Sequence, residues 1–258
     1  MKISVCLDAL CPRLPRTEAV RRFSEMGVGT VEFWGWKDTD LAALAQACTT
    51  YGVTVAGICT TCFELTRPEK RQAFLDGLKE SIAAVKSLGG SMLITQSGPD
   101  TGAPRAEQAE SLLAGLRMAA PLLEEAGVTL LLEPLNRRKD HPDTYLESSE
   151  EAFALVEAVG SPCVKVLFDI YHQQVSEGDI LTHLLPHLDK VGHLHAAAVP
   201  GRAALLGGEL DYPTLLARIA AAGYEGCVGL EYFPQQWTED VAADLPAVLK
   251  ALHAVNIA

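Results

Sequence analysis

The sequence has no apolar run approaching the ~20 residues that a membrane-spanning helix requires. Its first residues, Met1-Lys2-Ile3-Ser4-Val5-Cys6-Leu7-Asp8, are too short and too early interrupted by Asp8 to serve as an export signal, so a cytoplasmic location is expected. Positive charge is scarce: Lys+Arg number 21 against Asp+Glu 33, for a formal net charge of -12. That balance argues against nucleic acid and against an anionic membrane surface, because both are gripped by clustered Lys and Arg. The seven cysteines are odd in number and irregularly spaced, which fits reduced thiols better than a disulfide framework. Cys59 and Cys62 share C-x-x-C spacing, but no second such pair exists to complete a zinc site, and a structural role is the better reading. No G-x-G-x-x-G follows any apolar run, which disfavours a dinucleotide-binding open sheet.

What is present is ample apolar material, 48% of 258 residues, arranged as alternating strand and helix patterns. Eight strand-like runs are visible: Ile3 to Leu7, Thr30 to Trp34, Val53 to Ile58, Ser91 to Gln96, Val128 to Glu133, Val164 to Asp169, Val191 to His195 and Cys227 to Glu231. Helical periodicity fills the intervals over Glu18 to Met26, Asp40 to Tyr51, Pro68 to Leu88, Ala106 to Glu125, Ser149 to Val159 and Tyr212 to Ala222. Glycines 27, 52, 89, 127, 160 and 223 follow the last periodic residue of these stretches, where a left-handed residue turns a helix back toward a sheet. Eight right-handed crossovers close naturally into one (β/α)8 barrel, so a single TIM-barrel domain over residues 1–258 is expected.

Barrel active sites lie at the C-terminal ends of the strands. Strands five to eight end there in Glu133, Asp169, His195 and Glu231, spaced 36, 26 and 36 residues apart, each about one βα unit. Three carboxylates converging in one cleft repel one another, and a divalent cation resolves the conflict. An oxygen-rich set with one nitrogen and no thiolate suits Mn2+ or Mg2+, accommodates Co2+, and suits Zn2+ less well. Any one of these acids alone would more ordinarily be a helix N-cap or an ion-pair partner; the set of four is what points to a metal. His193 shares a strand face with His195 and reads as a hydrogen-bonded core histidine. His172 is placed in a loop over the mouth, where it could reach a substrate hydroxyl or simply start a helix. Trp34 and Trp36 could wall the pocket, and Ser97-Gly98 is a weak candidate for a phosphate cradle.

Several motifs, Glu133-Pro134-Leu135-Asn136, Asp169-Ile170-Tyr171-His172, Gly192-His193-Leu194-His195, Val199-Pro200-Gly201-Arg202, Gly208-Glu209-Leu210-Asp211-Tyr212 and Gly229-Leu230-Glu231-Tyr232-Phe233-Pro234-Gln235, resemble in order and spacing the hydroxypyruvate isomerase family. That family is part of the xylose isomerase-like superfamily of barrels. The resemblance implies a metal held by Glu133, Asp169, the strand-seven position and Glu231, with the two glutamates as an acid/base pair and His172 and Arg202 on substrate oxygens. Two departures stand out. Where hydroxypyruvate isomerases tend to carry Gln this chain has His195, as in the D-tagatose 3-epimerase-like branch, and the loop Ala203-Ala204-Leu205-Leu206-Gly207 lacks the usual His/Gly-Glu-Pro-Gly sequence.

The expected activity is therefore a divalent-metal-dependent isomerase of small hydroxy-carbonyl compounds or sugars, transferring a proton through a metal-stabilised enediolate. A ketose 3-epimerase or a keto-polyol dehydratase would begin with the same proton abstraction. A nuclease would want further His ligands on the early strands and a basic rim, whereas those strands end in Leu7, Trp34, Ile58 and Gln96. A non-catalytic metal- or sugar-binding barrel is a further class. The expected partner is a small carbohydrate or hydroxy-carbonyl substrate, with association into homo-oligomers expected by analogy alone.

Overall fold

The computed structural model describes all 258 residues. Eight parallel strands close on themselves in sequence order: β1 (Lys2–Cys6), β2 (Thr30–Phe33), β3 (Thr54–Cys59), β4 (Met92–Gln96), β5 (Thr129–Glu133), β6 (Val164–Asp169), β7 (Val191–Ala196) and β8 (Cys227–Leu230). Closure is made by β1 against β8, with Lys2 opposite Cys227 and Val5 opposite Leu230. The expected (β/α)8 barrel is what the chain forms, with strand ends shifted by no more than one residue from the apolar runs.

Strands such as β5, Thr-Leu-Leu-Leu-Glu, are apolar without alternation because both of their faces are covered, as parallel sheets require. The outer faces pack on α1 (Leu7–Leu10), α2 (Arg16–Glu25), α3 (Leu41–Tyr51), α4 (Arg71–Ser87), α5 (Arg105–Ala126), α6 (Ser149–Val159), α7 (Ile170–Ser176), α8 (Ile180–Leu184), α9 (Tyr212–Ala221) and α10 (Leu245–His253). One apolar cluster of 68 buried residues runs through this layer, while a separate small one, Ile94, Leu131 and Leu167, comes from β4, β5 and β6. A two-stranded hairpin, β9 (Trp237–Thr238) with β10 (Val241–Ala242), decorates the chain between β8 and α10.

Helix starts follow local chemistry: Asp40, Ser148 and Asp211 accept from backbone N–H groups at the heads of α3, α6 and α9. The six helix-ending glycines all have positive φ, between 65° at Gly127 and 102° at Gly223. The short helices α1, α7 and α8 and the final α10 lie outside the periodic stretches read from the sequence. Four- to seven-residue helices are too short to show a period, and α10 is entered through the irregular hairpin segment. All seven cysteines are free thiols.

Candidate active site

Side chains two residues apart on a strand share a face, so the inner positions of β5 to β8 at the mouth are Glu133, Asp169, His195 and the residue just past β8, Glu231. The structure brings all four together: one ligand atom from each lies within 4.8 Å of the others, and every one is buried. His195 Nδ1 stands 3.4 Å from Glu231 Oε2 and 3.7 Å from Glu133 Oε1. Glu133, His195 and Glu231 line a cavity of about 360 Å3 whose walls include Trp34, Phe63, Leu135, His141 and Arg202.

Asp169 does two jobs that sequence reading sets against each other. Its Oδ1 caps α7, accepting from the N–H groups of Tyr171 at 2.8 Å and His172 at 3.3 Å, while Oδ2 is free of the cap, 3.5 Å from His172 Nε2 and 3.9 Å from Arg202. His172 is accordingly not on a loop: it sits in the first turn of α7 and is fully buried, because Asp169 starts the helix at once. Its Nδ1 receives the Asn136 backbone N–H at 3.2 Å and the Asn136 side-chain amide at 2.6 Å, and its Nε2 makes no hydrogen bond, standing 3.5 Å from Asp169 Oδ2. With Nδ1 accepting, the proton resides on Nε2. Burial pulls the His172 pKa down to about 4, so this is a neutral imidazole presenting one N–H to the cavity.

Electrostatics in the cluster are those of crowded anions. Burial is the largest influence on Asp169 and raises its pKa against the opposing pull of Arg202 and His195. Burial acts the same way on Glu231, but there His195 and Arg202 outweigh it and hold the carboxyl below its usual range. His195 is driven well above its usual value, the field of Glu231 and Glu32 overcoming the cost of burial. A proton on that ring and the guanidinium of Arg202 are the cations that the chain itself supplies to three buried carboxylates. His195 Nδ1, aimed among them, makes no hydrogen bond. A set of three hard oxygen donors and one orphaned imidazole nitrogen fits a divalent cation of the Mn2+ or Mg2+ type.

Two side chains hold Glu231 in place. Trp34 Nε1 donates to Glu231 Oε1 at 2.6 Å, so Trp34 is both wall and support, and Arg202 donates to Oε2. Trp34 is itself anchored by its backbone N–H to Asp8 Oδ2 at 2.6 Å. Trp36 lies outside this cavity, in a neighbouring surface trough with Lys37. Ser97 and Gly98 are no phosphate cradle: the Ser97 hydroxyl accepts from Leu146 N–H, and a Cβ on Gly98 would lie 2.8 Å from the backbone of Phe63 and Glu64, so the pair serves close loop packing.

His193 is the hydrogen-bonded core histidine that its position suggested, but its partner, Glu32, escaped the sequence reading. Glu32 lies on β2, is 2% exposed, and faces His193 Nε2 and His195 Nε2, each at 2.8 Å. The signal was available: Glu32 precedes Trp34 by two residues and therefore shares its inward face. Asn136, within a quoted motif, and His141, whose ring is 5.3 Å from that of His172, also belong to the site. Nothing in the sequence marks His141.

No helix is long and apolar enough to cross a membrane. Compared with known proteins, residues 20–252 match the family model described as Xylose isomerase-like TIM barrel. The hydroxypyruvate isomerase of Escherichia coli K12 is 34% identical over 173 residues, 67% of each chain. A 2-oxo-tetronate isomerase of Cupriavidus necator is 38% identical over 136 residues, 53% of this chain and 52% of that one. Among solved structures, one titled AP endonuclease, family 2, from Brucella melitensis superposes with a TM-score of 0.89 at 29% identity, covering 95% of this chain and 98% of that one. With nine-tenths of its length inside the matched region, the chain belongs to the xylose isomerase-like TIM barrel family.

Proposed function

We propose that this protein is a divalent-metal-dependent isomerase of small hydroxy-carbonyl compounds, acting on hydroxypyruvate or a related short 2-oxo acid. The observation that carries the reading is the pairing of Glu133 and Glu231 across one buried nitrogen, His195 Nδ1, at the floor of the cavity. The names of the similar isomerases supply the substrate class.

Glu133, Asp169, His195 and Glu231 would hold the metal. When bound, it would supply the positive charge that makes a proton next to a carbonyl acidic enough to remove at neutral pH. One glutamate takes that proton from the hydroxyl-bearing carbon, and a glutamate returns it to the former carbonyl carbon; the hydroxyl proton passes to the carbonyl oxygen, so the product is an isomer. Trp34 and Arg202 fix the carboxylate of Glu231 for that transfer. His172 donates its Nε2–H to a substrate oxygen and stays neutral throughout the physiological range, which suits a hydrogen-bond donor rather than a proton shuttle. Trp34, Phe63 and Leu135 supply the apolar part of the wall.

A second reading is favoured by one residue. His195 stands where the resemblance sets sugar 3-epimerases apart from hydroxypyruvate isomerases, and return of the proton to the opposite face of the same carbon would make the enzyme an epimerase. Nuclease chemistry is disfavoured by the net charge of -12. Product analysis by NMR and mass spectrometry decides among the enzymatic readings, using Mn2+-loaded protein with hydroxypyruvate, 2-oxo-tetronate, tagatose, fructose and psicose in turn. An isomer of one of the two acids with its carbonyl moved by one carbon, an aldehyde from hydroxypyruvate or a 3-oxo acid from 2-oxo-tetronate, supports the proposal. A ketose epimer alone selects the second reading, and a product lighter by one water identifies a dehydratase instead.

A further inference from the structure

Glu32 has no part in the reaction outlined above, yet it is among the most deeply buried carboxylates of the barrel. A buried charge is expensive, and a barrel interior filled with apolar side chains would commonly be no less stable. Its surroundings are specific. Oε2 accepts from His193 Nε2 at 2.8 Å, and Oε1 lies 2.8 Å from His195 Nε2, a short contact that is bent away from the ideal hydrogen-bond line. The rings of His193 and His195 meet edge to face at 5.1 Å, so one carboxylate spans both. Space for it is made from a third strand: a Cβ on Gly229 of β8 would stand 2.3 Å from Glu32 Oε1 and 2.8 Å from its carboxyl carbon. Gly229 is not at a turn and its backbone needs no special φ, so its missing side chain is explained by the carboxylate that takes its place.

We propose that Glu32 is a positioning residue for the metal centre: through His195 Nε2 it keeps that imidazole turned so that Nδ1 faces Glu133, Asp169 and Glu231, with Gly229 as the clearance that seats it. The inference rests on the metal reading of those four residues. A ligating histidine whose second N–H is held by a carboxylate has its ring orientation and its tautomer fixed, and loss of such a partner typically weakens metal binding about 10- to 100-fold. Here the carboxylate lies 2.8 Å from Nε2, so a proton held there would leave the Nδ1 lone pair for the ion. His193 occupies the other carboxylate oxygen and so stops Glu32 from turning away. The alternative use of the same three groups is a second metal site made of Glu32, His193 and His195, since their donor atoms also lie within 4.8 Å.

The test is a titration of metal-stripped wild type, Glu32→Gln and Gly229→Ala with Mn2+, counting free ion by EPR, beside thermal melts of the metal-free proteins. The Gln amide keeps the volume but must turn its NH2 toward one of the two imidazoles, and the alanine keeps the carboxylate but displaces it. The expected result is one Mn2+ per wild-type chain, binding about 10- to 100-fold weaker in both variants, and metal-free melting temperatures close to wild type. Equal affinity in wild type and Glu32→Gln overturns the inference. So does a wild type that binds two Mn2+ per chain with one lost in Glu32→Gln, because Glu32 is then a ligand. A wild type that binds neither Mn2+ nor Mg2+ overturns the metal reading itself, a failure visible without any variant. Should both variants misfold, the histidine 15N spectrum of the Mg2+-loaded wild type decides: a proton on His195 Nε2 is expected, and a proton on Nδ1 overturns the inference.

Discussion

The two halves of the barrel mouth are built from different chemistry. Strands β5 to β8 end in Glu133, Asp169, His195 and Glu231, every one a potential ligand, whereas β1 to β4 lead into Leu7, Trp34, Thr60 and Gln96, which are apolar or uncharged. The interior below the mouth is divided along another line: on the β4 to β6 side it is apolar, with Ile94, Leu131 and Leu167, and between β2 and β7 it is ionic, with Glu32, His193 and His195. The difference teaches that charge is concentrated where a cation could offset it, while the opposite wall steadies the site from the side. Trp34 is the clearest case, a residue of the uncharged half whose indole N–H holds a glutamate of the charged half.

If that division is right, the largest losses follow substitutions in the charged half. Glu231→Gln, which keeps the shape and the Trp34 contact but cannot take a proton, lowers kcat on the responding substrate by roughly 100- to 10,000-fold, the range for loss of a positioned acid/base. Asp169→Asn lowers Mn2+ affinity by more than about 100-fold, beyond the usual effect of outer partners. Because Asn also caps a helix, its metal-free melting temperature stays near that of wild type, which separates the two jobs of Asp169.

The uncharged half should yield smaller effects. Trp34→Phe preserves the ring but removes a hydrogen bond to a charged group, typically ~1.5–3 kcal/mol, and is expected to cost about tenfold or more in kcat with little change in the melt of the protein. An unchanged kcat would mean that the far wall is only a wall.

A last effect is one of stability with pH, and it leaves turnover untouched. His172 is neutral when folded, with a pKa of about 4, and titrates near ~6.5 when unfolded, so the unfolded chain binds more protons in that interval. Metal-free protein therefore loses stability as pH falls from about 6.5 to about 4, on the order of 3 kcal/mol from this group. Denaturant melts across that range should show His172→Gln flatter than wild type; parallel curves would place the buried proton elsewhere.

The charged half was legible in the sequence and the other half largely was not, for physical reasons. In β5 to β8 each functional residue ends an apolar run, so strand periodicity alone points to it, and the 36, 26 and 36 residue spacings bring the ends together. Glu32 sits within its strand, beside a register irregularity between Val31 and Phe33, and its partners are 161 and 163 positions away in the chain. That Trp34 bonds Glu231 depends on barrel closure between β8 and β1, which no local pattern encodes. His172 belongs to α7 and not to a loop because Asp169, at the end of β6, also caps that helix. The cap and a role at the cavity are compatible, since a carboxylate has two oxygens.

The central claim is that Glu133 and Glu231 move a substrate proton at a metal-dependent site, and proton exchange in deuterated water reports on it without waiting for net turnover. Wild type, Glu133→Gln, Glu231→Gln and the double variant would be incubated with the responding substrate, metal-stripped or loaded with Mn2+, then cleared of metal and read by NMR. The account predicts deuterium at the carbon next to the carbonyl only in loaded wild type, with each single variant greatly slowed and the double variant silent. Exchange that persists in the double variant, or that proceeds equally without metal, would contradict it.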